Sequence, residues 1–276
     1  MKAAPRGRWG AVVTGALLAA TAGAETPAAD GDAAWAAVRT RAEAIHSFRG
    51  RATLTFTGAE EGVYEVAFGR VRPDAARMEV SSPLGAVALI LTARDGKLLA
   101  YNVGERAAGF GPDSAEHLAA ALDADVGANL TGLLDWFAAC PGEPAAGDAG
   151  CDVRVEPRRD EGGRLSGYAV SWVRRDTGET AQELTTDAAG TRLTAARSQD
   201  RDGGAVEVRY DDWRETDGVA MPRRVTFTTP DLTADVKVTK LAVNVEIPAE
   251  AFSLDTPPGT EDIFYWLGPG EIQRDE

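Results

Sequence analysis

The segment Ala86–Thr92 constrains the fold most, because it reads as a strand that is apolar on both faces. Pro83 and Gly85 turn the chain before it, and Asp95-Gly96 turns the chain after it. Asp-Gly between two strand-like runs predicts a type I′ hairpin, since that turn needs positive φ at both central residues. A strand that is apolar on both faces must be covered on both. In an antiparallel meander this indicates a curved sheet with something apolar inside.

The flanking sequence alternates apolar and polar residues with the period of two that half-buried antiparallel strands show. Four predicted strands surround Ala86–Thr92, and they include Leu54–Phe56, Tyr64–Phe68, Met78–Val80 and Lys97–Asn102. Seven more follow, at Asp152–Glu156, Gly167–Arg174, Gln182–Thr186, Arg192–Ser198, Val206–Trp213, Arg223–Thr229 and Ala234–Leu241. About eleven or twelve strands are enough to close or nearly close a barrel.

Three helices interrupt this pattern. Ala33–His46 is amphipathic, and Asp32 can cap it. Ser114–Leu122 begins with a capping box, after a Gly-rich stretch, Gly104–Pro112, that we predict to be a loop. Asn129–Ala139 is apolar around most of its circumference, so it needs burial nearly all round or contact with a ligand.

The first 24 residues have the features of a signal peptide: a positive n-region, a short apolar stretch and an Ala-Gly-Ala cleavage signal. We therefore expect export and a periplasmic location. No cysteine follows the apolar stretch, so we expect no lipid anchor, and no later segment is long enough to cross a membrane. The predicted divisions are a leader at 25–32, a folded domain at 33–260 and a C-terminal tail at 261–276.

The formal net charge is −14, and loss of the leader, with three positive and no negative side chains, makes it −17. A surface of this sign repels nucleic acids and anionic lipid headgroups. The sequence therefore argues against a nucleic-acid partner and against electrostatic docking to a bilayer.

The chain has two cysteines, Cys140 and Cys151, on either side of a Pro/Gly/Ala-rich segment that we predict to be a loop. In an oxidising compartment such a pair favours a disulfide, which would close a small loop. The alternative is a redox pair, but the chain has no C-x-x-C motif and no basic residue close in sequence to lower a thiol pKa.

No catalytic or metal-binding motif stands out. The two histidines, His46 and His117, are not in metal-ligand spacing, and neither a G-x-S-x-G motif nor a P-loop occurs. Ser82 and Asp211 are the remaining enzyme candidates, each better explained by a turn or a solvated strand edge. We therefore predict no enzyme activity, no cofactor and no metal.

Several stretches, in order along the chain, resemble the periplasmic carriers of outer-membrane lipoproteins, LolA and its receptor relative LolB. They are Ala44–Phe48 with Thr53–Phe56, Gly69–Pro73 with Arg77–Val80, Leu91–Leu98 with Tyr101, and a C-terminal set of Met221-Pro222, Val243–Pro248, Phe252–Leu254 and Pro257–Gly259. Ser82–Ala86 is closer to LolB than to LolA. The resemblance spans roughly residues 33 to 260 and identifies a divergent member.

The resemblance implies a mainly β fold: an unclosed antiparallel β-barrel with an N-terminal helix and a helical lid. Its apolar cavity would hold acyl chains of lipoproteins or lipids. The candidate cavity residues are Leu54, Phe56, Tyr64, Val66, Phe68, Met78, Val80, Leu89 and Leu91. The candidate lid residues are Leu130, Leu133, Leu134 and Phe137, together with Arg72, which matches the arginine that holds the LolA lid shut.

The resulting hypothesis is a soluble, monomeric carrier that takes its cargo from an inner-membrane donor complex and passes it to an outer-membrane acceptor. The alternative on the same scaffold is a periplasmic sensor that binds lipid or lipoprotein and regulates a membrane protein. For every cavity residue, ordinary core packing is the competing explanation.

Overall fold

A mostly antiparallel sheet of fifteen strands forms the body of the protein in a computed structural model. The structure describes residues 31–58, 61–122, 128–140, 150–199, 205–230, 232–268 and 271–274. The predicted signal peptide and most of the predicted leader lie outside these residues, although Gly31 and Asp32 belong to the first helix.

The first six strands are a meander: β1 (Ser47–Gly58), β2 (Gly62–Val71), β3 (Ala75–Ser81), β4 (Val87–Arg94), β5 (Lys97–Asn102) and β6 (Ala107–Pro112). The second series is β7 (Cys151–Arg159), β8 (Leu165–Arg174), β9 (Thr180–Thr186), β10 (Leu193–Gln199), β11 (Ala205–Asp211), β12 (Arg214–Thr216), β13 (Val219–Met221), β14 (Arg224–Thr228) and β15 (Leu232–Val243). The last two are β16 (Asp262–Gly268) and β17 (Glu271–Arg274).

The helices are α1 (Gly31–Glu43), α2 (Ala115–Leu122) and α3 (Leu130–Phe137), with a 3₁₀ turn at Ala249–Phe252. Helix α1 was predicted to reach His46, but it ends at Glu43 because the chain turns there to enter β1. No helix in the described ranges has both the length and the apolar composition needed to cross a membrane.

The order of the sheet brings the two series together. It runs β17-β16-β6-β5-β4-β3-β2-β1-β15-β14-β11-β10-β9-β8-β7, and β12 and β13 form a separate hairpin. Neighbouring strands of this sheet are antiparallel except for β6 and β16, which run parallel. The end strands β7 and β17 are not paired with each other in the described structure, so the sheet is unclosed, as predicted.

Three strands account for the difference between the predicted number and the fifteen observed. Strand β6 lies in Gly104–Pro112, so the prediction of a loop there was wrong: Ala107 and Ala108 are buried against β5. Strands β16 and β17 lie in the predicted tail, and β16 extends the sheet by pairing with β6. A glycine-rich strand and a strand that pairs with a distant partner carry little local signal.

The Asp95-Gly96 turn has the predicted conformation. Its two central residues have φ of 52° and 73°, and Arg94 pairs directly with Lys97 on the next strand. This tight turn fixes the register between β4 and β5, and therefore fixes which side chains of β4 point to each face.

The second half of β4 is covered on both faces, as its composition predicts, whereas its first residues are half-buried or exposed. On the inner face, Leu91 and Ala93 belong to the main core, which also contains α3. On the outer face, Ile90 packs in a smaller cluster with Leu99, Tyr101, Ala108, Phe110 and Leu254. The C-terminal segment provides this outer cover, and Tyr265 of β16 stacks on Phe110 with 5.6 Å between ring centroids.

We expect Gly167→Ala to lower the free energy of unfolding by about 2 kcal/mol or more. A Cβ atom at Gly167 would lie 2.0 Å from the Thr186 carbonyl oxygen on the paired strand β9, so the backbone must shift. Urea denaturation with circular dichroism measures the effect.

Gly69→Ala is the matched control, because Gly69 is also a strand glycine. A Cβ atom there meets its nearest neighbour, Ile247, at an ordinary 3.8 Å. Its unfolding midpoint should stay close to wild type. Equal midpoints for the two variants would show that the β8–β9 contact is less tight than described.

Candidate functional site

The nine predicted cavity residues lie on four adjacent strands, β1 to β4, and the register places them in cross-strand rows. One row contains Val66, Val80 and Leu89, the next contains Phe68, Met78 and Leu91, and Leu54 lies opposite Tyr64. Because side chains alternate along a strand, these rows share one face of the sheet. We call this face, together with Phe56, the inner face.

Burial along the inner face is graded. Val66, Phe68, Met78 and Leu91 are buried, whereas Leu54, Phe56, Tyr64, Val80 and Leu89 are only half-buried. Leu54, Phe56, Val80 and Leu89 still pack on the same core. The fifth half-buried residue, Tyr64, contacts Phe56 edge to face at 5.8 Å between ring centroids. The inner face therefore has a covered end and an end that keeps apolar surface in contact with solvent.

Helix α3 covers the buried end. All four predicted lid residues on it, Leu130, Leu133, Leu134 and Phe137, are buried. The Phe137 ring lies 5.7 Å from Phe68 on β2 and 5.5 Å from Phe227 on β14. The helix thus bridges the two series of strands across the inner face.

The start of α3 is fixed by two polar side chains. The Asn129 side chain accepts a hydrogen bond from the Gly132 amide, which is an N-cap. Asp113, just after β6, accepts hydrogen bonds from the Leu130 amide at 2.9 Å and from the Thr131 hydroxyl at 2.9 Å. A carboxylate at this end is also favoured by the helix dipole.

Arg72 lies between the helices. Its guanidinium donates to the Ala42 carbonyl near the end of α1 at 2.6 Å and to Asp135 of α3 at 3.2 Å. It also approaches the Cys140 carbonyl at 3.5 Å. These contacts join both helices to the sheet, although a role in holding a lid shut stays a prediction.

A second arginine, Arg70, makes a deeply buried ion pair with Asp135. Its Nε and Nη2 atoms each donate to one oxygen of Asp135 at 3.2 Å, and the side chains are 2% and 17% exposed. Arg70 also donates to the carbonyls of Val71, Pro73 and Ala75. Almost every donor of this guanidinium is therefore satisfied inside the protein.

Arg41 of α1 fixes the other end of α3. It donates to the carbonyl oxygens of Ala138 and Ala139, which follow the helix, and to the Ala220 carbonyl of β13 at 3.1 Å. Its guanidinium also lies 5.1 Å from the ring centroid of Trp213. A cation at a helix C-terminus is stabilised by the helix dipole.

The predicted site residues do not include Arg70, Arg41 or Asp135. Two of them carried a signal. Arg70 continues the inner-face series of Val66 and Phe68 with the period of two, so a charge falls on an apolar face. Asp135 is the one charged residue in the apolar α3 sequence LTGLLDWF. A charge at each of these places indicates a buried partner.

The predicted disulfide is not formed in the structure, where both cysteines are free thiols. Cys140 is buried next to Arg41, 3.8 Å from its Nη2 atom, and its thiol donates to the Ala138 carbonyl. Cys151 is half-buried at the start of β7, where it pairs with Arg174. Burial raises the pKa of the Cys140 thiol, and the guanidiniums of Arg41 and Arg72 oppose this shift.

The enzyme candidates do not come together. Ser82 lies in the turn between β3 and β4, where its carbonyl accepts from Gly85, and Asp211 ends β11. No three His, Cys, Asp or Glu residues in the described part of the chain are grouped to bind a metal ion.

No protein-family model matches the sequence, and no curated protein does. The structure is similar to that of a LolA superfamily protein from Nitrosomonas europaea, with a TM-score of 0.52 and 11% identity over 80% of this chain and 97% of that one. It is also similar to a domain described as an outer membrane lipoprotein-sorting protein from Vibrio parahaemolyticus. That match has a TM-score of 0.53 and 11% identity over 81% of this chain and 96% of the other.

The chain therefore has the LolA-like fold, as the resemblance predicted. The predicted architecture, an unclosed antiparallel sheet with helices, is confirmed.

We expect Asp135→Asn to lower the free energy of unfolding by about 3 kcal/mol, because it leaves the buried Arg70 charge without a counter-ion. The measurement is urea denaturation at neutral pH.

Asp235→Asn is the control. Asp235 pairs with Arg224 at 2.8 Å, but the side chains are 31% and 57% exposed. An exposed pair contributes about 0–1 kcal/mol. If both variants cost the same small amount, α3 is not anchored by the buried pair.

Proposed function

We propose that the protein is a periplasmic carrier that binds acyl chains of a lipoprotein or lipid on the inner face and passes them to an outer-membrane acceptor. The observation that carries this proposal is the graded inner face, with apolar rows that continue from under α3 to a half-buried end. Export through the predicted signal peptide and loading by an inner-membrane donor are parts of the same proposal.

The energetics of acyl chains suit a carrier. Burying a chain of about sixteen carbons is worth roughly 12 kcal/mol relative to water, at about 0.8 kcal/mol per CH₂. Relative to a bilayer the difference is near zero, because both environments are apolar. Cargo therefore does not diffuse freely between membranes, and release requires direct contact with an acceptor.

The turn between β3 and β4 offers an apolar contact for such a handover. Leu84, at this turn, is 97% exposed, and Val63 at the start of the paired strand β2 is also exposed. The turn adjoins Val80 and Leu89, which belong to the half-buried end of the inner face. We propose that Leu84 touches the acceptor or its membrane during release.

The main test is native mass spectrometry of the full chain, expressed with its own leader and isolated without detergent, followed by lipid extraction. We expect a mass excess from acylated species. Val80→Asp, which puts a charge on the inner face, should reduce the bound lipid at least about tenfold, since an unpaired charge is costly in an apolar site.

Val153→Asp is the matched control, because Val153 lies on the edge strand β7 and is 51% exposed. It should carry as much lipid as wild type. A clean mass for wild type, with one stoichiometric inner-membrane protein in a pull-down, would support the alternative of a regulatory sensor.

Leu84→Glu should separate transfer from binding. We expect the variant to retain lipid but to transfer a fluorescent acyl lipid to acceptor vesicles about tenfold more slowly, because one buried leucine contact is worth about 1.5 kcal/mol or more. Leu84→Met keeps an apolar tip and should transfer normally. A normal transfer rate for Leu84→Glu would rule out a role for Leu84 in lipid release.

A further inference from the structure

Three guanidinium groups, those of Arg41, Arg70 and Arg72, lie around α3 at the covered end of the inner face, and two of them contact a carboxylate. Arg70 and Arg72 share Asp135, whereas the described partners of Arg41 are carbonyl oxygens, a thiol and the Trp213 ring. This group, which we call the guanidinium cluster, therefore has an excess of positive charge. The excess is unusual in a chain whose net charge is −14.

Three buried hydrogen-bond donors, one on Arg41 and two on neighbouring side chains, also lack acceptors. Arg41 Nε, Tyr210 Oη and Trp213 Nε1 are buried and have no hydrogen-bond partner in the structure as described. The Tyr210 and Trp213 rings lie 6.4 Å apart, and the Arg41 guanidinium lies 5.1 Å from the Trp213 ring. Buried polar atoms normally have partners, so unmatched donors indicate a missing acceptor.

The cluster continues the apolar inner face. Arg70 lies in a cross-strand row with Phe48 and Ala76, on the same face as Phe68 and Tyr64. Arg70 lies six positions after Tyr64, which is about 20 Å along an extended strand. The inner face therefore has a partly open apolar end and a cationic end under α3. The distance between these two ends is close to the length of an extended long acyl chain.

We infer that the guanidinium cluster binds the carboxylate of a long-chain fatty acid, and that Asp135 occupies this position when α3 is closed. The inference rests on the proposed function and names a ligand class for the same site. Arg70 donates to both oxygens of Asp135, and Arg72 donates to one of them, which is the fork geometry that guanidinium groups use for carboxylates.

The exchange keeps charges paired. Movement of α3 away from the sheet takes Asp135 with it and leaves Arg70 and Arg72 without a counter-ion. A ligand carboxylate replaces Asp135 at the same donors, while the acyl chain lies along the rows that α3 has uncovered. Arg41 and its unmatched neighbours provide further donors on the side of α1.

The test compares oleate with oleyl alcohol, which have the same chain and differ in the headgroup. Both affinities are measured with the full chain by equilibrium dialysis, below micellar concentrations and at low ionic strength. We expect oleate to bind at least about tenfold more tightly, because hydrogen bonds to an ionised group are the stronger kind. The negative protein as a whole repels oleate, so such a preference has a local origin.

Variants locate that origin. Arg72→Gln and Arg41→Gln should each reduce the ratio of the two affinities severalfold, with little change for oleyl alcohol. Arg72→Lys, which keeps the charge, should retain part of the ratio. Arg224→Gln is the control, because this exposed arginine pairs with Asp235 on β15 and should leave the ratio at its wild-type value.

The outcomes separate the inference from the function on which it rests. Equal binding of oleate and oleyl alcohol by wild type would overturn the inference and leave the carrier proposal standing. A preference for oleate that survives in both Arg72→Gln and Arg41→Gln would also overturn it. If neither lipid binds, the carrier proposal fails together with the inference.

Discussion

The position of α3 depends on the carboxylate of Asp135. This one side chain neutralises Arg70, which is almost completely buried, and also bonds to Arg72. Burying two charges costs several kcal/mol each, and their attraction offsets that cost only when both are well hydrogen-bonded. The remaining donors of Arg70 are satisfied by backbone carbonyls, so the pair meets this condition. In proteins generally, well-packed apolar residues of similar volume often give equal or greater stability than a buried ion pair.

Under our proposal, the ion pair between Arg70 and Asp135 allows α3 to close over the sheet reversibly. Apolar contacts such as Phe68–Phe137 stabilise the packing of α3 on the sheet. They would stabilise a slightly shifted helix almost as well, because apolar contacts are not directional. The fork between Arg70 and Asp135 accepts only one register of the helix. It also makes partial opening expensive, because a buried guanidinium without a partner is strongly unfavourable. Such a contact favours two states, closed or fully open, over intermediates.

Much of the fold could be predicted from the sequence, because the period of two and turns such as Asp95-Gly96 are local signals. The nine inner-face residues were found in the same way. Strand β16 could not be found by this route, since its parallel pairing with β6 joins residues that are about 150 positions apart. The contacts of Arg41 with Ala138 and Ala220 are equally non-local. Arg70 could have been predicted as a site residue, because a charged residue on an apolar strand face indicates a buried partner.

The acyl-chain energetics explain why a carrier, the role that we propose for this protein, would need charged groups inside an apolar site. Hydrophobic transfer provides affinity, but it does not distinguish one long chain from another, nor the protein from a membrane. If α3 contacted the sheet only through apolar side chains, it would pack on lipid about as favourably as on the sheet. Charged groups supply the missing selectivity, since their partners must match in sign and geometry. In this protein Arg70 and Arg72 both bond to Asp135 of α3. Under our proposal, the same guanidinium groups would recognise the ligand that replaces Asp135, which would couple opening to the presence of that ligand.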